Sequence, residues 1–338
     1  MSRGIDHTIA LKDMVIGIFS CLLIFIVSIS SPLLGMIAPV LLPFPVLYYR
    51  LKLGRTGGLI ILSVCVGAIL AYTGQLLGTG PGVHVIDITI VSAPLICGFF
   101  LGEFTENHMG IERLIGFTCL STLGICTLFL VIHGGLNSKT VPVLISEYVT
   151  RNLDLITALL KQASLQTEEA AGGMNDMIHI ISDQKHRMIR IFPATISFML
   201  MNVIWINIMM IRKVLARKAI EVRSLNRIQD WKLPNSMVFM AIGFVLFSFI
   251  PVSGLDVISL NALLFILMLY LFQGMAIVSF LFKKKGMPLK LGVIFITAGI
   301  IIFQLLFVFL IMVLGIFDTW FDFRKLERFG NSPKQILP

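Results

Sequence analysis

Glu103, Glu106, His108 and Glu112 lie close together in a connection between two long apolar runs. Three acids and a histidine are residue types that hold a cation or accept a substrate amine. The same residues also fit a solvated loop at a membrane interface, the commoner use of charge at the end of a span. A second group is polar but uncharged and sits inside apolar runs: Asn202, Trp205 and Asn207, then Asn261 and Gln273, then Gln304. An amide in hydrocarbon needs a hydrogen-bond partner, so these side chains are expected to face inward. Asn202 and Trp205 share a helix face by their i, i+3 spacing, and Asn207 is turned from them by about 140°. Such residues either bond neighbouring helices together or line a site for a small, neutral or amphipathic ligand. The ligand-cavity set is Asn202, Trp205, Asn261 and Gln273.

No residues stand in a nucleophile, base and orienter pattern, so no catalytic residue is assigned and the chain does not read as an enzyme. It has no G-x-x-x-x-G-K-[ST], no H-E-x-x-H and no G-x-S-x-G. Gly78-Thr79-Gly80-Pro81-Gly82 joins two apolar runs with the wrong spacing for a dinucleotide and reads as a turn. Cys21, Cys65, Cys97, Cys119 and Cys126 all lie in apolar runs, without the spacing of a zinc site. No metal or other cofactor is expected.

The elements that must position these residues are membrane helices. The chain of 338 residues is 57% hydrophobic and 13% charged, against about a quarter charged in a soluble domain. Apolar runs of about 20 residues recur throughout, which signals helices rather than a barrel. Spans are placed near 14–34, 36–49, 57–77, 86–102, 114–133, 189–211, 236–253, 257–282 and 289–316. The fold class is therefore all-α, a polytopic bundle of eight or nine spans. No acid or base falls in the middle of a run, which argues against proton pumps and ion-driven carriers. The second run is short and carries Pro39, Pro43 and Pro45. It reads as a kinked or re-entrant segment whose freed carbonyls other helices must shield.

Lysine and arginine set the orientation. The 50–56 loop carries Arg50, Lys52 and Arg55, the 212–235 loop carries seven bases, and the 283–290 loop carries Lys283, Lys284, Lys285 and Lys290. These loops are expected in the cytoplasm, with the N-terminus. The net charge of +9 follows from this pattern, so nucleic acid is not an expected partner. One conflict stands: a single last span puts the tail outside, yet the tail holds Arg324, Lys325, Arg328 and Lys334.

Four regions follow. Residues 1–133 hold about five hydrophobic segments. Residues 134–188 form an extracytoplasmic segment, where Ile145, Val149, Ile156, Leu159, Leu160 and Ala163 recur at helical spacing. Gly172-Gly173 is expected to break this amphipathic helix before a second one around Met177 to Ile181. Residues 189–316 hold the remaining spans, and 317–338 form a polar tail. The external hairpin either packs on its own bundle or acts as a lid.

Two faces suit partners. Ser63, Gly67 and Ala71 recur every four residues on the third span, and Gly98 and Gly102 form GxxxG on the fourth. Small residues at this spacing let helices approach closely, within the bundle or against another protein. The 212–232 segment is basic and amphipathic, with Leu215, Ala219, Val222 and Leu225 among the bases, and suits anionic lipid heads or a docking partner. Arg217, Lys218 and Arg223 are its docking candidates.

Pro193, Trp231-Lys232-Leu233-Pro234, Leu271-Phe272-Gln273-Gly274, Gly315-Ile316-Phe317-Asp318 and Phe321-Asp322-Phe323-Arg324-Lys325 form a set of landmarks. With the proline-rich second segment, they resemble the YybS-like family of bacterial membrane proteins, a family of unknown function. That family is distantly similar to the substrate-binding S components of energy-coupling-factor transporters. The resemblance implies a multi-pass protein of the bacterial inner (plasma) membrane that binds or carries a small molecule. It implies a coupling membrane subunit and ABC-type ATPases as partners beside the lipid bilayer. S components have about six spans, fewer than here. The alternative is a non-transporting scaffold or regulatory partner.

Overall fold

The computed structural model of the chain describes residues 7–30, 32–77, 84–107, 109–164, 171–217, 231–252 and 254–324. Lys218 and Arg223, with His108 and the tail beyond Arg324, lie outside these residues. The described residues form helices and no strand. They are α1 (His7–Ser30), α2 (Pro32–Leu41), α3 (Pro43–Leu77), α4 (Val85–Glu106), α5 (Ile111–Leu136), α6 (Val141–Ser164), α7 (Ala171–Arg217), α8 (Ser236–Phe247), α9 (Leu255–Lys284) and α10 (Leu289–Phe321). Seven of the described helical stretches are long and apolar enough to cross a membrane. The chain divides into two compact units: Met1–Met109 with Arg113–Val222, and Gly110–Glu112 with Arg223–Pro338.

In the first unit, Pro39 of the proline-rich second segment lies in α2, while Pro43 and Pro45 open α3, which continues through the third span and is interrupted at Gly54 (φ 80°, ψ −174°). This is a conformation that glycine adopts without a Cβ penalty. A Cβ on Gly17 would lie 2.8 Å from Ile61 and 2.9 Å from Tyr49. In a straight helix residues 49 and 61 stand about 18 Å apart. The chain therefore reverses at Gly54, and both arms pack on α1, around a core of Cys21, Val46, Tyr49, Ile61 and Cys65. At the break between α2 and α3, the Asn207 amide of α7 donates to the Val40 carbonyl at 2.8 Å.

The external hairpin is α6 packed against the first part of α7. Lys185 meets Asp154 at 3.5 Å, and Tyr148 packs on Phe192. The expected break at Gly172-Gly173 is not where the helix ends. Both glycines lie in the first turn of α7, which runs without interruption for 47 residues through Pro193 to Arg217. At 1.5 Å per residue it is about 70 Å long, more than twice the hydrocarbon thickness.

In the second unit, α8 and α9 are joined by a turn in which Gly254 takes φ 82°. The last apolar segment is not one straight span. Gln304 has φ 47° and ψ −126°, dividing α10 into two arms. The Phe295 and Phe307 rings approach to 5.7 Å across this bend, whereas a straight helix separates those positions by about 18 Å. Backbone contact between α9 and α10 is close at Gly274 and Gly315. A Cβ on either would strike the other helix's backbone, at the Ile311 and Tyr270 carbonyls.

Candidate functional sites: two buried polar clusters

The first cluster lies where α3 turns back and α4 ends. Arg50 is 2% exposed although it belongs to an apolar stretch, Ile37–Thr73. Its Nη2 donates to Glu103 at 2.8 Å and to Glu106 at 2.9 Å, and its Nε donates to Glu103 at 3.2 Å. Arg55 approaches Glu103 at 3.7 Å, and Lys52 pairs with Asp13 of α1 at 2.6 Å. Glycines make room for this: Gly58 and Gly102 both abut the Arg50 side chain. Arg50 also stands 6.0 Å from the Phe99 ring centre. Of the acidic group read from the sequence, Glu103 and Glu106 are committed to Arg50, and Glu112 lies in the first turn of α5. The described residues contain no group of three or more ligands fit for a metal.

The second cluster gathers the landmark residues. Gln273 is fully buried; its Oε1 accepts the Leu233 N–H at 2.9 Å and its Nε2 donates to Asp318 at 3.1 Å. Asp318, also fully buried, accepts the Phe323 N–H at 2.9 Å and Arg324 Nη2 at 2.7 Å. Lys232 faces Asp322 at 3.7 Å, and Trp231, fully buried, packs on Phe272. Four landmark segments separated in sequence thus close one polar knot. The last turn of α10 lies against the residues that follow the basic 212–230 stretch. The start of the tail is thereby held against residues 231–233.

A third polar group stands at the other end of α4 from Arg50. His84 caps α4, accepting the Ile86 N–H on Nδ1 at 3.3 Å, while its own N–H donates to Asp87 at 2.9 Å. Across the gap, His84 Nε2 lies 3.8 Å from Glu147 of α6, which Lys139 grips at 2.8 Å through both carboxylate oxygens. Lys139 holds the Glu147 carboxyl below the usual range. Burial lifts the Tyr148 phenol to about 12.

A model of the family described as predicted membrane protein, DUF2232, matches residues 18–319. The chain belongs to this family. It is similar to the uncharacterized protein YybS of Bacillus subtilis (strain 168), with 22% identity over 313 residues, covering 92% of this chain and 95% of that protein. No solved structure matches the chain.

The DUF2232 match takes in Arg50, Glu103, Glu106, Gln273 and Asp318, and stops before Arg324. Of the expected cavity residues, Asn202 and Trp205 belong to the first unit and Asn261 and Gln273 to the second. Asn202 and Asn261 donate to carbonyls of their own helices, Phe198 and Val257. Gln273 bonds across elements, to Leu233 and Asp318. Asn207 is the inward amide of α7, fully buried, while Asn202 is half-buried. Gly98 and Gly102 are packed inside the unit, Gly98 against the Pro43 backbone. Ser63, Gly67 and Ala71 are exposed, with open space at Gly67. Arg217 ends α7, exposed. The sequence reading missed Arg50, Asp318 and Arg324 as a set. The available signal was charge at the edges of apolar runs: Arg50 with Glu103 and Glu106 at another run's edge, and Asp318 with Arg324 at the same one.

Proposed function

We propose that this DUF2232 protein is a non-catalytic partner subunit of the bacterial inner membrane, working as a scaffold or regulator for other proteins. The observation that carries this reading is α7. One continuous helix joins the amphipathic external hairpin to Arg217 at the head of the basic 212–235 segment. Such a rod transmits a displacement of the hairpin to the basic segment, because a regular helix resists compression along its axis. By the positive-inside rule the basic segment is cytoplasmic and the N-terminus lies with it. Arg217, Lys218 and Arg223 are then the docking residues, and the exposed Ser63, Gly67 and Ala71 face suits a helix of a membrane partner.

The small-molecule reading keeps one supporting observation. Asn202 and Trp205 remain half-buried on one face of α7, with the Asn202 amide engaged only one turn back. In that reading the chain acts like an energy-coupling-factor S component, and a coupling subunit and ABC-type ATPases supply the energy.

One experiment separates the two. The tagged full chain is purified in mild detergent beside Arg217→Glu/Lys218→Glu, and the co-purifying proteins are quantified by mass spectrometry. A stoichiometric non-transport partner lost on charge reversal supports the scaffold. Stoichiometric ABC-type ATPases with a coupling subunit support the transport reading. A partner set that charge reversal leaves unchanged overturns the docking role of the basic segment.

A further inference from the structure

His84 has two duties that protonation sets against each other. As the cap of α4 its Nδ1 must carry a lone pair, because it accepts the Ile86 N–H at 3.3 Å. Its Nε2 points toward the Glu147 carboxylate of α6 at 3.8 Å. Neutral imidazole satisfies both, with the proton on Nε2. Protonation puts a hydrogen on Nδ1 against the Ile86 N–H, two donors face to face, and strengthens the attraction of Nε2 to Glu147. We infer that His84 is a proton switch at the α4–α6 junction, holding the α4 cap when neutral and exchanging it for a Glu147 tether when charged.

The surroundings suit this exchange. The side chain is 16% exposed, so it is shielded from bulk water yet open to protons. Facing it are Asp87 on α4, Glu147, Tyr148 and Arg151 on α6, and Lys139 through Glu147. The neighbouring parts of α5 and α7 contribute Leu130 and Phe192, both apolar. Burial is the largest influence and lowers the imidazole pKa, with Asp87 and Glu147 opposing and Arg151 adding to it. The folded-state value lies below the unfolded one, about 6.5. The stabilisation of the neutral cap is therefore complete above about pH 6.5 and is lost as pH falls through the folded value.

The test is hydrogen exchange of the full-length protein in detergent between pH 7.5 and 5, corrected for the intrinsic pH dependence of exchange. Protection of the amides in 85–88 should fall roughly fivefold on acidification, the effect of losing one N-cap, while 144–150 keeps its protection. His84→Asn, which caps without titrating, should be flat over this range. Glu147→Gln should keep the cap at pH 7.5 and move the midpoint to lower pH, because the charged form loses its anionic partner. A flat wild-type profile overturns the switch, as does an unchanged fall in His84→Asn or an unmoved midpoint in Glu147→Gln.

Discussion

Arg50 shows how a charge is kept inside an apolar stretch. Its guanidinium is satisfied on one side by Glu103 and Glu106, while Nη1 finds no acceptor among the described residues. Losing one partner of a buried pair is costlier than losing the whole pair, because an uncompensated charge remains. Arg50→Met is expected to destabilise by about 3 kcal/mol, the lower end of the range for buried pairs because Glu106 is half-exposed. Adding Glu103→Gln and Glu106→Gln should restore most of that. Denaturation of the three proteins in one detergent checks it, and equal stability of Arg50→Met and wild type would refute the pairing. At Gln273 the expected cost is also local. Gln273→Leu orphans the Leu233 N–H and one Asp318 bond, at roughly 1–3 kcal/mol for each buried group left unpaired. The measured loss should shrink in the Asp318→Asn background, since the two residues share a bond.

At the scale of elements, small residues do two different things on neighbouring helices. Gly98 is pressed on the Pro43 backbone, while Gly67 faces open space. Gly98→Leu is therefore expected to cost at least about 1–3 kcal/mol through overpacking, and Gly67→Leu to leave the stability of the isolated protein unchanged. Loss of a co-purifying membrane partner in Gly67→Leu would be its only effect. Comparison of melting curves and of co-purification for both variants decides this. The α6 stripe divides in the same way. Leu144 and Val149 are buried, Leu144 against Val85 and Ile86 of α4, whereas Ile156 and Leu159 are exposed. Hydrophobic period alone predicts a buried face along the whole helix. Where the neighbouring helix lies decides how much of it is covered.

At the largest scale, the bend at Gln304 turns the last apolar segment back on itself. The knot of Gln273, Asp318 and Arg324 starts the tail beside Trp231 to Pro234. A reporter fused after Pro338 and a labelled cysteine at Lys232 should thus report the same side of the membrane. The proposed orientation makes that side the cytoplasm. A tail labelled from the outside would mean that α10 crosses as one span.

The membrane class, the helical content and most of the apolar segments were legible in the sequence. Burial in lipid demands long apolar runs with self-satisfied backbones, and that demand is local. So was the kink at the prolines, because a missing N–H is a property of the residue itself. The pairing of charges and amides was not legible. Arg50 reads as the first base of a loop, and only the reversal at Gly54 brings it under α4 beside two carboxylates. Asn207 reads as turned away, and only the packing of α7 against α2 aims it at Val40. The four landmark segments could be read as a pattern, but they are separated by up to 91 positions from Trp231 to Asp322. Their meeting depends on helix reversals that local composition does not encode. Sequence determined what each segment must bury; tertiary structure alone decided which polar groups would be buried together.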